Sequence, residues 1–169
     1  VTMKCLESLI VAFSMYSKIP MPQITWTKEN MKNTLCYFPL IGAVIGALLS
    51  LWYWLCGIAG FGVMLRAVVA VLIPVLVTGG IHLDGFLDTQ DALSSYQPME
   101  RRLEILKDSH AGAFAIISCS VYFLAYTGIY SMLTAHAVKV IAISFILSRT
   151  LSGLSVICFP QARKKGQGL

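Results

Sequence analysis

Leu35-Cys36-Tyr37-Phe38-Pro39-Leu40-Ile41-Gly42-Ala43-Val44-Ile45-Gly46-Ala47-Leu48-Leu49-Ser50-Leu51-Trp52-Tyr53-Trp54-Leu55-Cys56 contains no charged side chain. A helix crosses the hydrocarbon core of a bilayer in about 20 residues, so this stretch alone is long and apolar enough to span one. Three more stretches pass the same test, near 63 to 81, 112 to 133 and 138 to 159. The whole 169-residue chain agrees: 57% of it is hydrophobic, 12% is charged and its mean hydropathy is +0.74, which excludes a soluble domain. The expected fold is therefore all-α, a polytopic integral membrane helical bundle of about four transmembrane helices forming one membrane-embedded domain over residues 1–169.

Leu9 to Ile19 is too short to span and runs into Ile19-Pro20-Met21-Pro22, so it reads as an N-terminal interfacial helix stopped by proline. No small-residue cleavage pattern comes after it, which argues against a secretory signal peptide. Gly42 and Gly46 stand four apart, the spacing that lets membrane helices approach closely. Cys5, Cys36, Cys56, Cys119 and Cys158 stand singly in apolar runs and read as packing residues, neither disulfides nor zinc ligands.

The basic residues set an orientation. With the N-terminus cytoplasmic, Lys4, Lys18, Lys28, Lys32, Arg101, Arg102, Lys107, Arg163, Lys164 and Lys165 fall inside, and only Arg66 and Lys139 fall outside. The net charge of +5 is thus a matter of topology, with no stripe suited to nucleic acid. Arg149 lies within the fourth span; it is either a functional intramembrane charge or a snorkelling one.

This orientation brings an acidic cluster to the cytoplasmic side. Of eight acidic residues, Asp84, Asp88, Asp91, Glu100, Glu104 and Asp108 fall between positions 84 and 108. In a helix Asp84, Asp88 and Asp91 share one face, where like charges repel unless a cation lies between them. Ser95-Tyr96-Gln97-Pro98 reads as a turn and Met99 to Lys107 as a short cytoplasmic helix. Four aspartates, Asp84, Asp88, Asp91 and Asp108, with Glu104 as a possible fifth donor, suit one or two Mg2+ ions that clamp a diphosphate. Gly79, Gly80 and Gly85 permit close backbone approach to phosphate, and Arg102, Lys107 and the neighbouring Arg101 supply cations. His82 and His110 read as a general base or phosphate donors, or as polar residues at helix ends. Ser109 and Thr89 hydrogen-bond phosphate or cap helices; His136, in the outer loop, has no role in this chemistry.

Gly79-Gly80-Ile81-His82-Leu83-Asp84-Gly85-Phe86-Leu87-Asp88-Thr89-Gln90-Asp91, followed by Arg102-Leu103-Glu104-Ile105-Leu106-Lys107-Asp108-Ser109-His110-Ala111-Gly112, resembles the signature of cobalamin synthase, or adenosylcobinamide-GDP ribazoletransferase. Phe13 to Pro22, Phe38-Pro39-Leu40-Ile41-Gly42, Ser148-Arg149 and Ala162-Arg163 resemble further elements of that family along almost the whole chain. The resemblance implies a multi-pass enzyme of the bacterial inner membrane with its active site facing the cytoplasm. It implies Mg2+-dependent transfer of the adenosylcobinamide-phosphate group from adenosylcobinamide-GDP to alpha-ribazole or its 5'-phosphate, with release of GMP, late in cobalamin (vitamin B12) biosynthesis. It assigns the acidic motif to Asp84, Asp88, Asp91 and Asp108, with Arg149 and Arg163 among the substrate contacts. It also admits a homo-oligomer or a complex with other late cobalamin enzymes.

Two departures stand out. His110 takes the place of the family's usual arginine, exchanging a permanent cation for a titratable one. The chain also ends at Leu169, before the family's later membrane segments, so a C-terminally truncated member is expected. Rival readings are a CDP-alcohol phosphotransferase or a membrane prenyltransferase, both users of Asp-bound Mg2+, and, in another class, a cation transporter. The first lacks its Ala-Arg here, where Leu87-Asp88 stands, and a prenyl tail does not account for His82-Leu83-Asp84-Gly85. The transporter calls for acids near mid-span, whereas these sit at a cytoplasmic end.

Overall fold

The computed structural model describes residues 2–27, 30–31, 33–108 and 110–159, with residues 2–4 as backbone only; Ser109 and Arg163 lie outside the described residues. The described residues form α1 (Thr2–Tyr16), a 3-10 turn (Thr34–Tyr37), α2 (Phe38–Ala59), α3 (Val63–Thr78), α4 (Ile81–Ser94), α5 (Met99–Ile105), α6 (Ala113–Ser131) and α7 (Ala135–Cys158), with no strand among them. Three runs are long and apolar enough to cross a membrane: Thr34–Ala59, Ala113–Ser131 and Ala135–Cys158. The expected second span, 63 to 81, is broken. Val63–Thr78 and Ile81–Ser94 pass the test only as a pair bent by 95°.

The break corrects the reading of 63 to 81 as one helix, and its cause is Gly79-Gly80. Both glycines are left-handed, Gly79 at φ 65° and Gly80 at φ 81°, a region where a Cβ is strained. The amides of both close back onto the Val75 carbonyl and so terminate α3. Pro74 lies inside α3, and the Thr78 hydroxyl donates to its carbonyl at 2.8 Å. Gly80→Ala is expected to lower stability by about 1 kcal/mol, because only glycine occupies this region without strain. Gly85→Ala, at an ordinary helical position where a Cβ meets nothing within 4 Å, is expected to raise it slightly. Thermal unfolding in detergent of the two variants separates these outcomes.

The chain divides into two compact units, Val1–Ser50 with Ala137–Leu169, and Leu51–His136. In the first, α1 begins seven residues before the expected Leu9 and ends at Tyr16. The Ser17 hydroxyl donates to the Phe13 carbonyl at 2.6 Å, and Ile19, preceding Pro20, is turned away from helix. Val11, Ala12 and Phe13 are buried, so α1 packs on its neighbours, against the 3-10 turn and with Tyr16 4.9 Å from the Phe38 ring. On α2, Ile41, Ile45 and Leu49 are fully buried at helical spacing. Beside them Gly42 and Gly46 bring α2 against the backbone of α7 at Phe145 and Ala142. Elsewhere on α7 large apolar side chains are exposed, as at Ile143, Leu147 and Ile157, a surface suited to lipid.

In the second unit, α3 packs on α6 and α6 packs on α4. Ala67, Ala70 and Val71 form the buried stripe of α3, small enough for close contact. At the α2–α3 turn, Trp52 stacks on Phe61 at 5.7 Å, its indole N–H donates to the Arg66 carbonyl at 3.0 Å, and Arg66 lies 5.6 Å over the Tyr53 ring. The Tyr53 hydroxyl then donates to the Tyr130 carbonyl at 3.0 Å, tying this turn to the end of α6.

Candidate functional site

The bend places α4 as a separate helix, and every described acid of the cluster belongs to the second unit. Asp84 sits in the first turn of α4, where its amide donates to the Gly80 carbonyl at 2.8 Å. A carboxylate there also complements the positive helix N-terminus. Asp88 comes one turn later, half-buried, whereas Asp84 is exposed. His82 is half-buried two residues before Asp84. Gly85 meets open space, and the Thr89 hydroxyl is turned back onto the Gly85 carbonyl at 2.7 Å.

Asp91 keeps the register of the other two but has different neighbours. Its Oδ2 accepts from the Gly112 amide at 2.5 Å and its Oδ1 from the Ala115 amide at 2.8 Å, at the start of α6. Phe86 makes a second contact between α4 and α6, 6.1 Å from the Tyr122 ring. Tyr122, Tyr126 and Tyr130 continue up one face of α6 at four-residue intervals, the first two stacked at 4.4 Å.

Asp108 pairs with His110. The His110 Nδ1 lies 2.7 Å from the Asp108 Oδ1, and the His110 amide donates to the same oxygen at 3.0 Å. These hydrogen bonds hold the Asp108 carboxyl below its ordinary range, since they favour the ionised form. With Nδ1 directed at the carboxylate, Nε2 is the nitrogen that faces elsewhere, an arrangement suited to accepting a proton. The sequence holds a signal for this dyad, an Asp-x-His spacing in a loop, although residue type alone assigns the two separately, one to metal and one to phosphate.

On α5, Glu104 is engaged by Arg101 on the exposed surface, a pair of small energetic weight. The Arg102 Nε is shielded from solvent without a hydrogen-bond partner among the described residues, and Lys107 is exposed. Arg149 belongs to the first unit, where its guanidinium lies 5.6 Å over the Phe38 ring.

Among the described residues no three of His, Cys, Asp and Glu converge on one point that an ion could occupy. The four aspartates are thus not gathered into one clamp: Asp91 is committed to α6 and Asp108 to His110. Asp84 and Asp88 remain as a pair one turn apart on α4, and hard carboxylate oxygens in that number fit Mg2+, which is commonly held by one or two carboxylates with substrate phosphate in its shell.

Apolar helices of spanning length, with a broken span that carries the acids, make this a polytopic membrane protein. A family model described as cobalamin-5-phosphate synthase (CobS) matches residues 8–169, and the chain belongs to that family. It is 52% identical over 164 residues to an adenosylcobinamide-GDP ribazoletransferase of Lachnoclostridium phytofermentans, covering 97% of this chain and 63% of that protein. Proteins of the same name from Clostridium botulinum and Desulfitobacterium hafniense are 36% and 34% identical, over 75% and 98% of this chain and 51% and 67% of theirs. The chain therefore spans between half and two thirds of the length of these relatives. No solved structure matches it.

Proposed function

We propose that this chain carries the acidic site of an adenosylcobinamide-GDP ribazoletransferase in the bacterial inner membrane, with α4 and α5 on the cytoplasmic side. In this reading a ribose hydroxyl of alpha-ribazole, or of its 5'-phosphate, attacks the phosphorus nearer the cobinamide. The phosphoanhydride bond to GMP breaks, GMP departs, and the hydroxyl proton passes to a base. Asp84 and Asp88 hold Mg2+, which when bound neutralises charge on the diphosphate and on the departing phosphate. Arg102 and Lys107 donate to phosphate oxygens, and His110, oriented by Asp108, is placed to take the proton through Nε2.

The observation that carries this reading is the Asp84–Asp88 pair on a helix set free by the Gly79-Gly80 break, in a chain of this family. The positive-inside distribution of basic residues supports the cytoplasmic side. The test is the protein in liposomes with adenosylcobinamide-GDP, alpha-ribazole and Mg2+. Appearance of GMP and cobalamin in equal amounts, dependent on the ion, is expected. Ion flux across the liposomes with no product would replace this reading with the transporter.

A further inference from the structure

We infer that Asp91 is a clasp that fixes the segment between α4 and α6, a positioning residue and not a donor to the ion. The first-turn amides of a helix have no partners within it and need acceptors from elsewhere. At α6 the N-cap residue is Gly112, which has no side chain to offer. In the usual capping box two side chains from the helix's own first turn satisfy the N-cap and N3 amides. Here one carboxylate, from 21 residues upstream, takes both: Gly112 through Oδ2 and Ala115 through Oδ1. Its negative charge also lies at the positive end of α6.

Gly112 is the other half of this contact. Its backbone, at φ −79° and ψ 174°, is open to any residue, so conformation does not call for glycine there. Contact does: a Cβ at Gly112 would lie 2.7 Å from both Asp91 oxygens and 2.8 Å from Cγ. A Cβ at position 112 would have to push the Asp91 carboxylate away, so the clasp in this form needs glycine there. Closing it pins both ends of a segment that carries Arg102, Lys107, Asp108 and His110 to the helix that bears Asp84 and Asp88.

Conservative replacement separates a clasp from a ligand. Asn keeps one acceptor oxygen and puts an NH2 donor in place of the other, so it retains one of the two amide bonds of the clasp, while it removes the charge that a carboxylate brings to a hard cation. The protein in liposomes is prepared as Asp91→Asn, Asp91→Ala, Gly112→Ala and, for comparison, Asp84→Asn. Tryptic cleavage after the exposed Lys107 and binding of Mn2+ alone, monitored by its electron spin resonance, are measured for each. Asp91→Ala and Gly112→Ala are expected to speed cleavage by about tenfold or more through easier local opening, with Asp91→Asn, which keeps one of the two bonds, between them and wild type. Mn2+ affinity is expected to hold within about twofold in Asp91→Asn and to be lost in Asp84→Asn.

Loss of Mn2+ binding in Asp91→Asn, with cleavage in Gly112→Ala unchanged, would overturn the clasp and make Asp91 a ligand. The contrast with a ligand rests on the ion reading of Asp84 and Asp88. If the wild type binds no Mn2+, that reading fails on its own and the clasp is decided by the cleavage pattern, which needs no ion: equal rates in all variants would overturn it.

Discussion

Asp84→Asn and Asp88→Asn are each expected to slow GMP release by ~10²–10³-fold, the scale seen when one preorganised charge-stabilising group is removed from a transition state. Stability should not fall with activity. Two carboxylates one turn apart repel, so neutralising either should leave stability unchanged or raise it by a few tenths of a kcal/mol. Asp84 is exposed and Asp88 half-buried, and neither side chain makes a hydrogen bond or ion pair among the described residues, so asparagine costs no packing. Activity should thus fall while thermal stability holds or rises, a combination that a structural role cannot give. Raising Mg2+ should partly restore Asp88→Asn, because weakened binding is overcome by mass action. The measurement is GMP release in liposomes across a Mg2+ titration, beside thermal unfolding of the same preparations. Full activity in both variants would remove the pair from the mechanism.

The parts of this molecule legible in its sequence are those governed by local pattern. Apolar run length places α2 within three residues of its observed ends and α6 within two, because hydropathy and helix length are properties of contiguous residues. Periodicity likewise puts Asp84, Asp88 and Asp91 on one helix. Features that depend on distant contacts are not legible in this way. Asp91 has the same residue type and register as its neighbours, yet its role depends on Gly112, whose position no periodicity reveals. Gly79 and Gly80 read as room for phosphate, but a run of hydropathy does not register that both residues are left-handed and end a helix. α1 starts earlier than its apolar run, since its first turns carry Lys4, Glu7 and a buried Ser8 that a hydropathy count reads as polar. Arg149 left two readings open, and its contact with Phe38 depends on how α7 packs.

Gly46→Leu and Gly42→Leu are expected to prevent the first unit from packing. A Cβ at Gly42 would press on the Phe145 carbonyl oxygen and lie 2.7 Å from its carbon and 2.9 Å from the Ile146 Cα. At Gly46 it would meet the Ala142 carbonyl oxygen, with the carbon at 3.0 Å and Cα at 3.1 Å. Every one of these is a backbone atom, and the Cβ position is fixed by the backbone, so no rotamer of the new residue relieves the contact. α2 and α7 must move apart, and in lipid that loss is not offset: apolar side chains gain little by facing one another over facing acyl chains, so close packing supplies much of the association. Ile41, Ile45 and Leu49, fully buried on the same stretch of α2, would lose contacts with the movement. Even Gly→Ala at either site should cost roughly 1–3 kcal/mol, with leucine costing more. Gly42 should be the more sensitive, since each of its three nearest contacts falls under 3.0 Å, whereas Gly46 has one that does. Gly57→Ala, where a Cβ meets nothing within 4 Å, is the control and should be neutral or slightly stabilising. Unfolding of the detergent-solubilised variants by heat or by added denaturing detergent reads the order. If Gly42→Ala and Gly46→Ala matched Gly57→Ala, the close approach of α2 to α7 would be wrong.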